Sequence, residues 1–163
     1  MALAFRPANF DVQDELRFVV DSWASSYRDA DSAGMIQVED WYAVMIPQIT
    51  KALRRPDVQT MLACAPDDPA QLQGFITADI EERPALVYYV FVKAPYRRGG
   101  KGRLWDGDGC ARGLFAAMGI DPAKPFHYVC ETPMVPRLRR KIPAARHLPK
   151  YGRFPKSERK AGR

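Results

Sequence analysis

Residues 88–102 read YYVFVKAPYRRGGKG, and this stretch decides the fold. It continues a β-branched and aromatic run, Leu86–Val92, which predicts a buried strand. The basic turn that follows has Arg97, Gly100 and Gly102 in the spacing R-x-x-G-x-G. Glycines let a ligand approach the backbone without a Cβ in the way, and consecutive N–H groups in such a turn can bind an anion. A strand, a glycine turn and a following helix would together form a phosphate or pyrophosphate site.

Two common phosphate-binding patterns do not fit this turn. A P-loop requires a Gly-Lys-Ser/Thr after its first glycine and four further residues, and the chain has no such sequence. The dinucleotide fingerprint G-x-G-x-x-G follows an early strand, whereas here three strands are predicted before the strand that leads into the turn. A basic turn between a strand and a helix that binds no ligand stays open as the alternative.

The turn resembles the acetyl-CoA signature of the GNAT family of N-acetyltransferases, which reads approximately V-x-P-x-Y-R-x-x-G-x-G/A. The positions that match in spacing are Val92, Tyr96, Arg97, Gly100 and Gly102. The proline of the signature lies one place late, at Pro95, and Arg6-Pro7-Ala8 resembles a sequence found near the start of the family. The resemblance extends over about residues 1–120 and implies the fold and activity of this family.

Apolar spacing predicts the elements on either side of the turn. The expected elements before it are a strand at Leu3–Arg6, a helix over residues 12–27, a second helix from Val38 that Pro47 should kink or split, and strands at Gln59–Cys64 and Gly74–Ile80. Short turns join the last two strands to Leu86–Val92, so these three should pair as an antiparallel meander. Tyr88 and Tyr89 are expected on opposite faces of their strand, one in the core and the other able to reach a cleft.

After the turn, a helix is predicted within Arg103–Gly119, with a late start because Gly107 and Gly109 are poor helix formers. Phe126–Glu131 is expected as a fifth strand, parallel to Leu86–Val92. The order of elements predicts an α/β (α+β) fold, namely a GNAT-like mixed central sheet with flanking helices. Residues 1–136 are assigned to this domain.

Residues 137–163 are predicted to form a basic, proline-containing extension in which the resemblance ends. Prolines at 133, 136, 143 and 149 exclude a long helix there, and nine residues follow Phe154. The last part of the sheet should therefore be atypical: shortened, missing, or supplied by a partner chain, as in a homodimer. The segment carries a net charge of +10, whereas residues 1–136 carry −4. Such a segment attracts nucleic acid or another polyanion, or is simply a solvated end.

Composition restricts the class of protein further. A length of 163 residues with 47% hydrophobic content is sufficient for one domain with a core. The chain has no apolar run of 18 residues and no signal-peptide pattern, so no membrane association is expected. Three cysteines without a C-x-x-C pair indicate neither a disulfide framework nor a metal site, and they favour a reduced, cytoplasmic setting.

The resemblance implies an enzyme that transfers an acetyl group from acetyl-CoA to an amine by direct attack, without a metal. In the family the fourth and fifth strands splay apart around the thioester, and backbone groups near Phe91 and Val92 would hold the pantetheine arm. The residues implied in pyrophosphate binding are Arg97, Arg98, Gly99, Gly100, Lys101, Gly102 and Arg103. Tyr151 is the implied acid, and Glu131, at the end of the fifth strand, is the candidate base.

The main alternative is a GNAT-like module without catalytic activity. It would bind nucleic acid or an assembly partner through residues 137–163. Cys130 is interpreted as a small core residue, because His127 would lie on the opposite strand face and could not activate it. The identity of the acceptor amine is not encoded in any pattern that we recognise.

Overall fold

The computed structural model describes residues 3–28, 36–97, 109–130 and 142–148. In these ranges the strands are β1 (Ala4–Pro7), β2 (Gln59–Cys64), β3 (Leu72–Asp79), β4 (Leu86–Val92), β5 (Phe126–Tyr128) and β6 (Ala145–His147). The helices are α1 (Gln13–Arg28), α2 (Val38–Leu53), α3 (Ala94–Arg97) and α4 (Cys110–Ala117). None of the helices in the described ranges has both the length and the apolarity that a membrane crossing requires.

The strands form one mixed sheet in which spatial order follows chain order, from β1 to β6. Each neighbouring pair from β1 to β4 is antiparallel, while β5 is parallel to β4 and β6 is parallel to β5. This arrangement confirms the predicted fold class, the antiparallel meander and the parallel fifth strand. Strand β6 lies within the basic segment 137–163, so a part of that segment pairs with the sheet.

The two faces of the sheet carry separate cores. The apolar positions of α1 recur at helical spacing and pack with α2 over Leu62 and Phe75 on one face. Helix α4 covers the opposite face, where Leu114 and Phe115 pack against residues that include Ile76. Successive side chains along a strand point to opposite faces of the sheet, so they enter the two cores in turn. Burial of each large apolar side chain stabilises the fold by about 1.5–3 kcal/mol.

Helix α2 continues through Pro47, so the split that the sequence predicts there does not occur. Pro47 lies on the exposed side of the helix, where water can hydrogen-bond the carbonyl that loses its intrahelical donor. Met45 and Ile49 are buried on the other side and hold the turns on both sides of the proline against the sheet. Packing of this face therefore outweighs the local preference of proline.

Strand β4 contains a β-bulge at Tyr88. Thr77 of β3 pairs with Tyr89, and the next residue of β3, Ala78, pairs with Val87, which leaves Tyr88 as the extra residue. The bulge shifts the alternation of the strand by one position, so both tyrosines are buried in the core beneath α1 and α2. The prediction that Tyr88 and Tyr89 occupy opposite faces is wrong for this reason.

Helix α4 begins at Cys110, in agreement with the late start that the sequence predicts. Its Gly113 lies directly beneath the ring of Phe5 in β1: a Cβ at this glycine would lie 2.1 Å from Cζ of Phe5. A side chain larger than hydrogen would push the strand and the helix apart. The contact brings the edge strand β1 against the helix that covers the second face.

Candidate functional site

Strands β4 and β5 pair over a short stretch of the described residues. Their ladder consists of two pairs, Leu86 with His127 and Val87 with Tyr128. One further hydrogen bond, from the Val129 N–H to the Val87 carbonyl at 3.2 Å, marks the end of the contact among the described residues. Strand β4 continues five residues past Val87, to Val92, which is about 16 Å of strand. Among the described residues, no strand of the sheet pairs with this length of β4 on the side of β5, and this side of β4 is here called the opening.

The backbone of β4 presents polar groups toward this opening. The Lys93 N–H donates to the Gln73 carbonyl at 2.8 Å, which places Lys93 among the residues hydrogen-bonded to β3. Because antiparallel pairs alternate, Phe91 also directs its backbone groups to β3, whereas those of Val90 and Val92 point away from β3, toward the side of β5. The bulge at Tyr88 determines which of the following residues of β4 direct their backbone groups to β3 and which direct them away from it.

The side of β4 away from the opening is closely packed. A Cβ at Gly74 of β3 would lie 2.6 Å from the Phe91 carbonyl oxygen and 3.2 Å from Sγ of Cys110. Only glycine lets β3, β4 and the first residue of α4 approach this closely. Burial raises the pKa of the Cys110 thiol to about 12. This thiol therefore stays protonated and acts as a small core group rather than as a nucleophile.

Aromatic side chains cover the α1 face of the open part of β4. The ring of Phe91 stacks on Phe75 at a centroid distance of 5.8 Å and meets the edge of Phe18 at 6.1 Å. The Lys93 Nζ lies 5.2 Å from the centroid of Phe18, a cation–π distance. Phe18, Phe91 and Lys93 are each half-buried, so this cluster forms part of the surface beside the opening.

Tyr89 joins β4 to α1. Its hydroxyl is 2.8 Å from Oγ of Ser26, and its ring stacks on Trp23 at a centroid distance of 5.1 Å. Ser26 donates its own proton to the Ser22 carbonyl, so Tyr89 is the donor in the contact with Ser26. A stacked ring and a hydrogen bond together fix the position of α1 relative to the residue that follows the bulge.

A polar group of side chains lies near the first residues of β4. Asp79, at the end of β3, is 1% exposed and accepts hydrogen bonds from the Glu81 and Glu82 N–H groups. Tyr88 is 3% exposed. Burial, and to a smaller extent the charge of Asp79, raise the pKa of Tyr88. The phenol is therefore a hydrogen-bond donor rather than a base at neutral pH.

The structure describes only some of the residues that the sequence predicts for the site. Phe91 and Val92 lie on β4 beside the opening, and the backbone of Arg97 ends α3. The predicted site residues outside the described ranges are Arg98, Gly99, Gly100, Lys101, Gly102, Arg103, Glu131 and Tyr151. Cys130 is buried in the core that α1 and α2 form with the sheet, as predicted. Within the described ranges, no group of three His, Cys, Asp or Glu residues is placed to hold a metal ion.

Sequence reasoning did not single out Asp79, Arg55 or Ser26. None of them belongs to a motif, and each becomes significant only through residues distant in the chain. The sequence indicates that Tyr88 or Tyr89 could reach a cleft, but it does not predict the bulge that directs the side chain of Tyr88. The one sequence signal that points to Tyr88 is the pair of adjacent tyrosines in a strand that is buried on both faces.

Comparison with known proteins identifies the fold. No protein-family model matches the chain, and no curated protein matches it by sequence. A solved structure of ribosomal-protein-alanine N-acetyltransferase from Brucella melitensis biovar Abortus 2308 has a TM-score of 0.52 and 16% identity, over 86% of this chain and 90% of that one. A solved aminoglycoside acetyltransferase from an uncultured soil metagenomic sample has a TM-score of 0.50 and 10% identity, over 87% and 86%.

The mixed sheet and these similarities together identify the fold. The chain has the fold of the GNAT N-acetyltransferases, as the resemblance in its sequence predicted. The similarity extends over most of both chains rather than over a local motif. At this level of identity, the structural similarity establishes the fold alone.

Proposed function

We propose that the chain is an acetyl-CoA-dependent N-acetyltransferase that acts on an amine by direct attack. The observation that carries this proposal is that β4, among the described residues, extends well past its short ladder with β5, directly before the glycine turn. An opening of this kind exposes strand backbone to a ligand, and the turn that follows offers N–H groups and positive charge to its phosphates. The two features are adjacent in sequence and suit the two ends of one extended cofactor.

The residues beside the opening fit the pantetheine arm of coenzyme A. The arm carries amide groups, and the backbone groups of Val90 point toward the opening, where they can hydrogen-bond such amides as a neighbouring strand would. Because Phe91 directs its backbone to β3, we assign these contacts to Val90, and the side chain of Phe91 to the wall of the site beside Val92. Acetyl-CoA would supply the thioester whose carbonyl carbon the amine attacks.

The remaining roles rest on the sequence. The turn from Arg97 to Arg103 would hold the pyrophosphate, with Gly100 and Gly102 allowing its close approach. The attacking amine must be neutral, so Glu131 is proposed as the base that removes its proton. Tyr151 is proposed as the acid that donates a proton to the departing sulfur.

Titration calorimetry of the full-length protein with acetyl-CoA tests the proposal. We expect micromolar binding that is lost in Gly100→Asp and in Gly102→Glu, because each adds bulk and negative charge where the pyrophosphate would bind. Gly119→Asp is the matched control. It adds the same charge after α4, at an exposed position with φ +74 where a Cβ would have no neighbour within 4 Å, and Asp tolerates such a φ. Unchanged affinity in folded Gly100→Asp and Gly102→Glu proteins would refute the proposal.

Binding of nucleic acid through residues 137–163 is a second candidate function. The charge of +10 in this segment favours it, and β6 ties part of the segment to the sheet with Arg146 exposed. Fluorescence anisotropy with DNA should then show affinity that falls at least tenfold between about 50 and 200 mM salt. Replacement of Arg159 and Lys160 by glutamate should weaken DNA binding and leave binding of acetyl-CoA unchanged. DNA affinity that does not depend on salt or on these residues would exclude this function.

A further inference from the structure

Two buried hydrogen-bond donors lie at one end of the sheet without a partner. The Tyr88 hydroxyl is one, and Nη1 of Arg55, in the turn between α2 and β2, is the other: neither has a hydrogen-bond partner within the part of the chain that the structure describes. Buried polar side-chain atoms in folded proteins nearly always have a partner, either protein, water or ligand. An additional bound group would supply the partner that these two donors lack.

Arg55 is held firmly in this place. Its Nε donates to Asp57 Oδ1 at 2.9 Å, and its Nη2 forms an ion pair with the other carboxylate oxygen. A bidentate pair of this kind fixes the plane of the guanidinium group. Nη1 consequently points in a defined direction, and its donor capacity is not used by Asp57.

The register of the sheet brings Arg55 and Tyr88 to the same end. Arg55 precedes β2, whose first residue Gln59 pairs with Ala78 of β3. The next residue of β3, Asp79, pairs with Leu86, two positions before Tyr88. The charge of Arg55 influences the pKa of Tyr88, as expected for groups that are near one another. The two donors thus lie at the same end of the sheet.

We propose that Tyr88 Oη and Arg55 Nη1 hold a neutral oxygen, a carbonyl or hydroxyl, of the acetyl acceptor. A group bound by two donors must supply an acceptor atom. A carboxylate is disfavoured, because the buried Asp79 and the half-buried Glu82 place negative charge beside the site. An ammonium group is disfavoured by the positive charge of Arg55 beside the site.

The position of Tyr88 assigns this oxygen to the acceptor rather than to the cofactor, and this step rests on the proposed function. Tyr88 is the first residue of β4 beyond its last pair with β5, and it lies about 13 Å along the strand from Val92, where β4 ends. A cofactor anchored at the turn would run along β4 toward Tyr88, so its reactive end would lie nearest the bulge. The amine that attacks this end would then have its neighbouring carbonyl or hydroxyl near the two donors.

Three small probes test the chemistry of this site: acetamide for a neutral carbonyl, acetate for an anion and methylammonium for a cation. The full-length protein, labelled with ¹⁵N in arginine and ¹³C in tyrosine, is titrated with each probe and observed by NMR. We expect acetamide to shift the Arg55 Nε and Tyr88 ring signals in a saturable way. The other two probes should shift them at least tenfold less at the same concentration.

Variants of both donors make the test specific. Tyr88→Phe should reduce acetamide affinity at least tenfold, and Arg55→Lys, which keeps the charge but not the fixed fork, should do the same. Tyr42→Phe removes a hydroxyl from a half-buried tyrosine of α2 and should leave the affinity unchanged. If Tyr88→Phe does not fold, Arg55→Lys alone decides the test.

Several outcomes would overturn the proposal. These are an absence of saturable acetamide shifts, as expected if only water binds there, equal or tighter binding of acetate, and affinity that survives both substitutions. The acetamide titration does not depend on binding of the cofactor. If the protein binds acetamide at this site but does not bind acetyl-CoA, only the proposed function is refuted. Retained acetyl-CoA binding without acetamide binding would refute the site alone.

Discussion

Replacement of Gly113 by alanine should destabilise the protein even though alanine is the better helix former. In the interior of a helix alanine is favoured over glycine by about 1 kcal/mol. The new Cβ would, however, lie 2.1 Å from Cζ of Phe5 and under 3 Å from two further ring carbons. To restore an ordinary contact of 3.4 Å the ring must retreat by about 1.3 Å. Overpacking of this extent costs about 3 kcal/mol, the upper end of the usual range. The expected net loss of unfolding free energy is therefore about 2 kcal/mol.

A double-mutant cycle with Phe5→Ala isolates the clash from the helix propensity. Once the ring is removed, Gly113→Ala should raise the unfolding free energy by about 1 kcal/mol, so the same substitution changes sign between the two backgrounds. The expected coupling energy is about 3 kcal/mol. Urea unfolding followed by circular dichroism measures all four proteins, and equal m-values are required for the comparison. A coupling energy below about 0.5 kcal/mol, or a stabilised Gly113→Ala protein in the wild-type background, would refute the contact between β1 and α4.

Two further predictions concern polar contacts of α1. Ser26→Ala removes the acceptor of the Tyr89 hydroxyl and should lower the unfolding free energy by about 1–2 kcal/mol in urea, whereas Ser25→Ala at the exposed neighbour should leave it unchanged. Burial tends to raise the pKa of Glu15, but its hydrogen bonds with Arg6 and with a backbone N–H outweigh this and lower it. A lowered pKa in the folded state contributes stability above the unfolded value near 4.5, and this contribution is lost as pH falls through the folded value. The urea midpoint of the wild type should thus fall more steeply than that of Glu15→Gln between pH 6 and pH 3. Parallel pH profiles of the two proteins would contradict this reasoning.

The sequence was sufficient to predict the parts of the fold that depend on local pattern. Helix α2 starts at Val38 and strand β4 spans Leu86–Val92, as expected from apolar spacing and from β-branched residues. The meander followed from the short turns that join its strands. These features depend on neighbours within a few residues, which a single sequence displays directly.

Features that depend on distant residues were not predictable in the same way. The continuity of α2 across Pro47 results from burial of Met45 and Ile49 against the sheet, which overrides the preference of proline. The bulge at Tyr88 arises from the register between β3 and β4, and nothing in the local sequence specifies it. The candidate site was predictable in outline at Phe91 and Val92. The bulge then decides which backbone groups face the opening.

The contact of Phe5 with Gly113 has a consequence during synthesis on the ribosome. The residues are 108 positions apart, and β2, which pairs with β1, begins only at Gln59. At about 5–20 residues per second, β1 emerges roughly 5–20 s before the helix that covers its aromatic ring. The strand is unpaired until β2 emerges, and its phenylalanine stays uncovered until α4 emerges, so the segment is a natural target for chaperones that bind short apolar segments. The segment translated first among the strands is thus among the last to be buried.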